Sequence, residues 1–327
     1  MAVWKIPGPW SVLLSPFSSS PWKFETLDPA YGKVSEGNAW DGAGMLYTRI
    51  HHSKIMRYDP AAGTVSVWRE DTNYSNGMTF DAQGRLYACQ GGATENLRRV
   101  VRFEAPDSEG NSAVTVLADS FEGKRLNIPN DLVVDLQGSV WFTDPFYEGS
   151  AGPWSNDRTH KDLDHDSVYR LDEQSDGKWN ITRVTFETTR PNGLLFSLDH
   201  KTLYVAQSGR EATEKRQLRA YPVKEDRSLG TPEVLHDFGA HRGIDGMRLD
   251  TEGNIIACCG WEVSGPGPMM YVFSPSGEVL ETHPVPCTRP TNCAFGGDDL
   301  TDLYVTTIDG ALLRAKTGRV GRPLYRG

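Results

Sequence analysis

The chain is short of several things that would mark a protein class. It has no apolar run approaching the ~18 residues of a membrane span, and its mean hydrophobic content is 38% over 327 residues. It has no excess of positive charge: the net charge is −9, and no basic stripe offsets it. A nucleic-acid partner is therefore not expected. Its 5 cysteines (Cys89, Cys258, Cys259, Cys287 and Cys293) are odd in number and lack framework spacing, which fits reduced thiols and a cytoplasmic setting. In the strand-like run IIACCGW, Cys258 and Cys259 should point to opposite faces as packing residues. The first 22 residues lack a charged head, an apolar run and a small-residue cleavage site in that order, so no secretory leader is expected. Also missing are a Gly-x-Ser-x-Gly elbow, a His-Glu-x-x-His pair and a P-loop, so serine-hydrolase, zincin and nucleotide readings have no anchor. Long amphipathic helical patterns are absent too.

What is present is repetition. Six times a short polar residue stands ahead of a strand-like run: Glu36 in SEGNAWD, Asn76 in SNGMTFD, Asn130 in PNDLVVD, Asn192 in PNGLLFS, Asp245 in IDGMRLD and Asn292 in TNCAFGG. Four of these reach an aspartate at the same offset, Asp41, Asp81, Asp135 and Asp250. Each block continues through a Gly- or Asp-rich turn into a second strand such as GRLYACQ, GSVWFTD or KTLYVAQ, and then a further strand pair. Four strands per block over six blocks predict an all-β, six-bladed β-propeller, read as one domain over residues 1–327. The last block is short of an outer strand, and the segment WKFETLDP is expected to supply it and close the ring.

In such a ring the starts of the innermost strands converge at one mouth of the central channel. The six starts carry two carboxylates and four amides, with no Lys or Arg. Single Asn or Asp residues ahead of strands commonly serve only as turn caps. Six in register argue instead for hard oxygen ligands suited to Ca²⁺, Mg²⁺ or Mn²⁺. Residues ending the second strands, Gln90, Asp144 and Gln207, should lie at the same mouth, as should His51 and His52. The third block carries a long insertion, PFYEGSAGPWSNDRTHKDLDHDS, in which Phe146, Tyr147 and Trp154 suggest a lid. Asp162, Asp164, Asp166 and Glu173 imitate an EF-hand loop, but the turn glycine is replaced by Ser167 and SVYRLD reads as strand.

The stretches NIPNDLVVDLQGSVWFTDPFY, RPNGLLFSLDHKTLYVAQSG, GIDGMRLDTEGNIIAC and RPTNCAFGGDDLTDLYVTT resemble the gluconolactonase, regucalcin and luciferin-regenerating-enzyme family from about Glu36 onward. The resemblance implies a propeller with one divalent metal on its axis, Ca²⁺ first, with Mg²⁺, Mn²⁺ and Zn²⁺ as alternatives, and lactone hydrolysis in many members. It places metal ligands on Glu36, Asn192 and Asp245, and substrate contact on Asn130. The chemistry agrees: a cation polarises the ester carbonyl and acidifies water, and a carboxylate takes the proton. Asp245 is the expected ligand and base, with Asn130 as its catalytic partner. Asn130, Asn76, Gln90, Asp144, Tyr147 and Gln207 are the expected substrate contacts. The family's sugar-binding Arg, two residues before Asn130, is replaced here by Ile128, which together with the aromatic insertion predicts a pocket favouring alkyl or aryl lactones. The sequence also admits two other readings: a non-catalytic calcium-binding scaffold, and a propeller hydrolase acting on another ester such as a phosphoester. In the enzymatic readings the partner is a small molecule, with no nucleic acid and no membrane involved.

Overall fold

The computed structural model describes residues 20–105 and 113–322. The segment read above for a secretory leader lies almost wholly outside the described residues. Six four-stranded antiparallel sheets are arranged as the blades of a propeller. The innermost strands are Ser35–Trp40, Ser75–Phe80, Leu132–Val134, Pro191–Phe196, Ile244–Leu249 and Pro290–Gly296. Each packs against the innermost strands of both neighbouring blades, so they enclose a common axis.

The ring is held by what lies between blades. Apolar residues on facing sheets form one cluster at each of the six junctions. Alternation along one strand feeds two of them: Cys258 enters the cluster between the fifth and sixth blades, and Cys259 the one between the fourth and fifth. All five cysteines are free thiols. The sixth blade takes its outer strand from the other end of the chain. Phe24–Asp28 pairs antiparallel with Leu312–Lys316, Phe24 opposite Ala315 and Thr26 opposite Leu313. Just before it, Trp22 stacks on His283 of the fifth blade at 3.9 Å between ring centroids. A closed ring leaves only outer strands as edges.

The fixed-offset aspartates have a structural task. Asp41 Oδ1 accepts from the backbone N–H groups of Ala43 and Gly44, and Asp81 Oδ1 from Gln83 and Arg85. Asp135 Oδ1 accepts likewise from Gln137 and Ser139, and Asp250 Oδ1 from Glu252 and Asn254. Each carboxylate closes the turn between the first two strands of its blade.

Glycine sets how closely the inner strands approach. In four blades the leading polar residue is followed by glycine: Gly37, Gly77, Gly193 and Gly246. A β-carbon on Gly37, Gly77 or Gly193 would overlap the carbonyl oxygen of Asn76, Asn130 or Asp245 on the next inner strand, and one on Gly246 would overlap the Asn292 side chain. In the third and sixth blades the same position holds Asp131 and Asn292, whose side chains fill the axis that the glycines leave open.

Candidate active site at the channel mouth

Five of the inner strands shift register beside their leading residue, between Glu36 and Ala39, Ser75 and Met78, Pro191 and Leu194, Ile244 and Met247, and Pro290 and Cys293. A bulge of this kind re-aims a side chain that would otherwise follow the pleat. Glu36, Asn76, Asn130, Asn192 and Asp245 each keep only 4–7% of their surface exposed.

Asp245 is the hub. Its Oδ1 accepts from Asn192 Nδ2 at 2.7 Å, and its Oδ2 from Arg242 Nη2 at 2.9 Å. Arg289 Nε stands 3.7 Å from the same Oδ2. Asn192 Nδ2 also lies 3.4 Å from the Tyr147 hydroxyl, which donates to Ser208 O at 3.1 Å. Burial drives the Glu36 carboxyl well above its usual range, and the Asp245 and Asp131 charges push it the same way. Burial likewise raises Asp131, with Arg248 opposing. The Asn292 side chain stands beside both carboxyls and opposes the rise in each. The Arg289 guanidinium is lowered to about 10 by burial and then by Arg242. The mouth thus gathers like charges on both sides, which is costly unless a cation or an anion enters it.

Among the described residues no group of three His, Cys, Asp or Glu side chains is placed to hold a metal ion. The set that fits a hard cation is mixed: Glu36 and Asp245 with the amide oxygen of Asn192, whose NH₂ is already turned to Asp245. Asn76 Oδ1 is buried here without a hydrogen-bond partner. A repelling pair of carboxylates, a free amide oxygen and an orphaned buried one are what a divalent cation with oxygen ligands would satisfy.

The structure separates the other expected residues. Asn130 receives no side-chain hydrogen bond among the described residues, and its backbone N–H donates to Thr143 O at 2.9 Å. Asn292 lies one residue further along its strand than the other leaders. The equivalent position is Thr291, which donates to Ser35 O at 2.6 Å and ties the last blade to the first. Gln90, Asp144 and Gln207 are occupied by the loops that precede the inner strands of their own blades. Gln90 donates to Thr72 O at 3.0 Å, Asp144 accepts from Asn127 N–H at 2.8 Å, and Gln207 accepts from Thr189 N–H at 3.0 Å. These are anchoring bonds of buried strand ends. Burial raises Asp144 to about 8. His51 Nε2 lies 3.2 Å from Gly149 O, and the His52 ring lies tilted against Tyr31.

The insertion after Pro145 forms an apolar cluster of its own, Phe146, Ala151 and Trp154 on Ile128. Phe146 and Ile128 are fully buried there, so neither gives the mouth an apolar wall. Trp154 Nε1 donates to Gly92 O at 2.9 Å on the second-blade side. On the fourth-blade side Arg190 donates to Phe146 O, Glu148 and Glu214. Of the three aromatics only Tyr147 reaches the axial groups. The EF-hand imitation dissolves: Asp162 pairs with Arg125, Asp164 with His165 and Asp166 with Lys161.

Asp131, Arg242 and Arg289 also reach the mouth, beyond the residues expected from the sequence. A signal was present, since RPN, RGID and RPTN each place an arginine just ahead of an inner strand. A cavity of about 450 Å³ opens at the opposite end, where the inner strands finish. Trp40, Phe80, Phe196, Leu249 and Phe295 line it, with Arg248 toward the axis, and it holds none of the expected metal ligands.

The sequence model of the SMP-30/Gluconolactonase/LRE-like region matches residues 34–309. A gluconolactonase of Zymomonas mobilis is 28% identical over 307 residues, 86% of this chain and 79% of its own. Regucalcin of Danio rerio is 32% identical over 288 residues, 87% of this chain and 86% of its own. The solved gluconolactonase of Xanthomonas campestris superposes with a TM-score of 0.71 at 30% identity, covering 90% of this chain and 89% of its own. With the matched region spanning all six inner strands, the chain belongs to the SMP-30/gluconolactonase/LRE-like family.

Proposed function

We propose that the protein is a lactonase that opens a cyclic ester with the help of one divalent cation, Ca²⁺ first, held by Glu36, Asn192 and Asp245. The observation that carries this reading is the convergence at one channel mouth of a raised carboxyl on Glu36, the Asp245 hub and the Asn192 amide. Lactonase relatives of comparable length support it.

A bound cation of this type supplies Lewis acidity toward the carbonyl and a more acidic water. The chain supplies the rest. In this reading Asp245 takes the proton from the attacking water, and the 2.7 Å bond from Asn192 to Oδ1 holds its orientation. The Asn130 amide, without side-chain partners among the described residues, is free to hold a substrate oxygen. Water attacks the carbonyl carbon, the ring C–O bond breaks, and the ring oxygen leaves as the new hydroxyl with the proton that Asp245 had taken. Tyr147, held by Ser208 O, bounds the site on the side of the insertion.

The test is proton release on a panel of lactones and phosphotriesters, before and after chelation and with Ca²⁺ restored. Chelator-sensitive lactone opening supports the reading. Phosphotriester turnover alone would favour the other ester, and Ca²⁺ binding without turnover of any substrate would favour a scaffold.

A further inference from the structure

We propose that the lactone opened here carries an anionic group, a carboxylate, sulfonate or phosphate, and that Arg242 and Arg289 bind it. The proposal rests on the lactonase reading above and adds the substrate class.

Three successive blades place an arginine just ahead of the inner strand: Arg190 two residues before Asn192, Arg242 three before Asp245, and Arg289 two before Thr291. The third blade has Ile128 at the matching position, under the insertion. The three arginines are not equally satisfied. Arg190 is spent, bonded to Glu148 at 2.9 Å and Glu214 at 2.8 Å. Arg242 and Arg289 share one carboxylate oxygen, Asp245 Oδ2, at 2.9 and 3.7 Å. Their side chains keep only 10% and 16% of their surface exposed, and both Nε atoms are buried without a hydrogen-bond partner. Arg210 extends the patch over the Tyr147 ring, its guanidinium carbon 4.7 Å from the centroid.

The charge balance decides the ligand. Glu36 and Asp245 together match one divalent cation. The third carboxylate there, Asp131, is faced by Arg248, so once the cation is matched the shared Asp245 no longer neutralises two guanidiniums as well. A neutral polyol in the mouth would leave both cations desolvated and under-paired. An oxyanion with two or three equivalent oxygens fits the forked donors of two adjacent arginines. The concentration of positive charge is local, because the chain as a whole carries −9. The same arrangement counts against the alkyl or aryl preference inferred from Ile128, since the side chains that reach the axis are charged.

The experiment compares glucono-δ-lactone with its terminal phosphate ester and with its terminal carboxylate analogue, on the metal-loaded enzyme. In parallel, calorimetry measures binding of gluconate and of its terminal phosphate ester. Wild type should favour at least one anionic lactone in kcat/KM, and should bind the phosphorylated or the carboxylated acid more tightly than gluconate. Arg289→Gln should reduce that preference about 10- to 100-fold, the range for one charge-assisted hydrogen bond. Arg289→Lys should restore part of it, which guards against a folding defect in the glutamine variant. The anion that gains most identifies the group. Efficient opening of gluconolactone with no gain for either anion would overturn the proposal and leave the lactonase reading standing. Failure to open any lactone would sink the lactonase reading, while the binding arm would still decide on the anion: equal affinities for gluconate and both charged acids would overturn it.

Discussion

Replacing Asp245 by asparagine removes one negative charge from a site where three groups lean on it. Asp245 is 5% exposed and accepts from Asn192 and Arg242, with Arg289 nearby. Loss of the partner of a buried cation costs about 3–5 kcal/mol. Relief of the repulsion on Glu36 works the other way, so the metal-free variant should lose somewhat less than that, a melting drop of several degrees. Catalysis should suffer more. A positioned base contributes about 10²–10⁴-fold, and Asp245→Asn should lose that much in kcat while keeping an oxygen for the cation. Asp245→Ala loses both, so its Ca²⁺ affinity should fall below that of the asparagine variant. The assay is initial-rate lactone opening at saturating Ca²⁺, beside a Ca²⁺ titration followed by thermal melting. A wild-type rate in Asp245→Asn would refute the base, and equal Ca²⁺ affinities for the two variants would refute the ligand role.

Three further outcomes follow from the same structure. Asp144, ordinarily at 3.8, is raised to about 8 by burial, so the native state holds its proton longer than the unfolded chain. Its contribution is complete below pH ~4 and is lost as the pH rises toward 8. Asp144→Asn should therefore flatten the fall in melting temperature between those limits, and an unchanged slope would reject Asp144 as its source. Arg190→Met cuts the bonds to Phe146, Glu148 and Glu214; hydrogen exchange should then speed up across residues 145–166, and unaltered protection would show that Gly92 and the Ile128 cluster suffice to hold the insertion. Thr26→Pro places a residue without an N–H opposite Leu313, and should lower the melting temperature by loosening the closing strand, whereas an unchanged melt would mean that the ring does not depend on it.

The repeat was legible because its parts are local. A leading polar residue, a following glycine and an aspartate five residues on from Glu36, Asn76, Asn130 and Asp245 each leave a mark in a short window of sequence. The sixth block was placed one residue out because Thr291 and Asn292 are both polar and the offset aspartate is missing there. Their place at strand ends makes Gln90, Asp144 and Gln207 candidates for substrate contact. Their partners, Thr72, Asn127 and Thr189, lie on loops whose return path sequence spacing does not reveal. Trp154 fits a lid face by sequence, yet its indole is spent on Gly92 O and the Ile128 cluster, contacts set by folding of the whole insertion. The role of the arginines is hidden in the sequence for a related reason. A sequence shows that RPN, RGID and RPTN precede inner strands, but only the assembled ring shows that Arg190 finds two carboxylates while Arg242 and Arg289 share one oxygen.

The central claim is that one divalent cation sits among Glu36, Asn192 and Asp245. Anomalous diffraction from crystals soaked in Mn²⁺, repeated with Ca²⁺, tests it most directly. One strong axial peak is expected at about 2.0–2.6 Å from a Glu36 carboxylate oxygen, an Asp245 carboxylate oxygen and the Asn192 amide oxygen. The peak should vanish in Glu36→Gln/Asp245→Ala crystals. A fully soaked crystal with no peak at that mouth, or with its peak in the cavity at the opposite end, would contradict it.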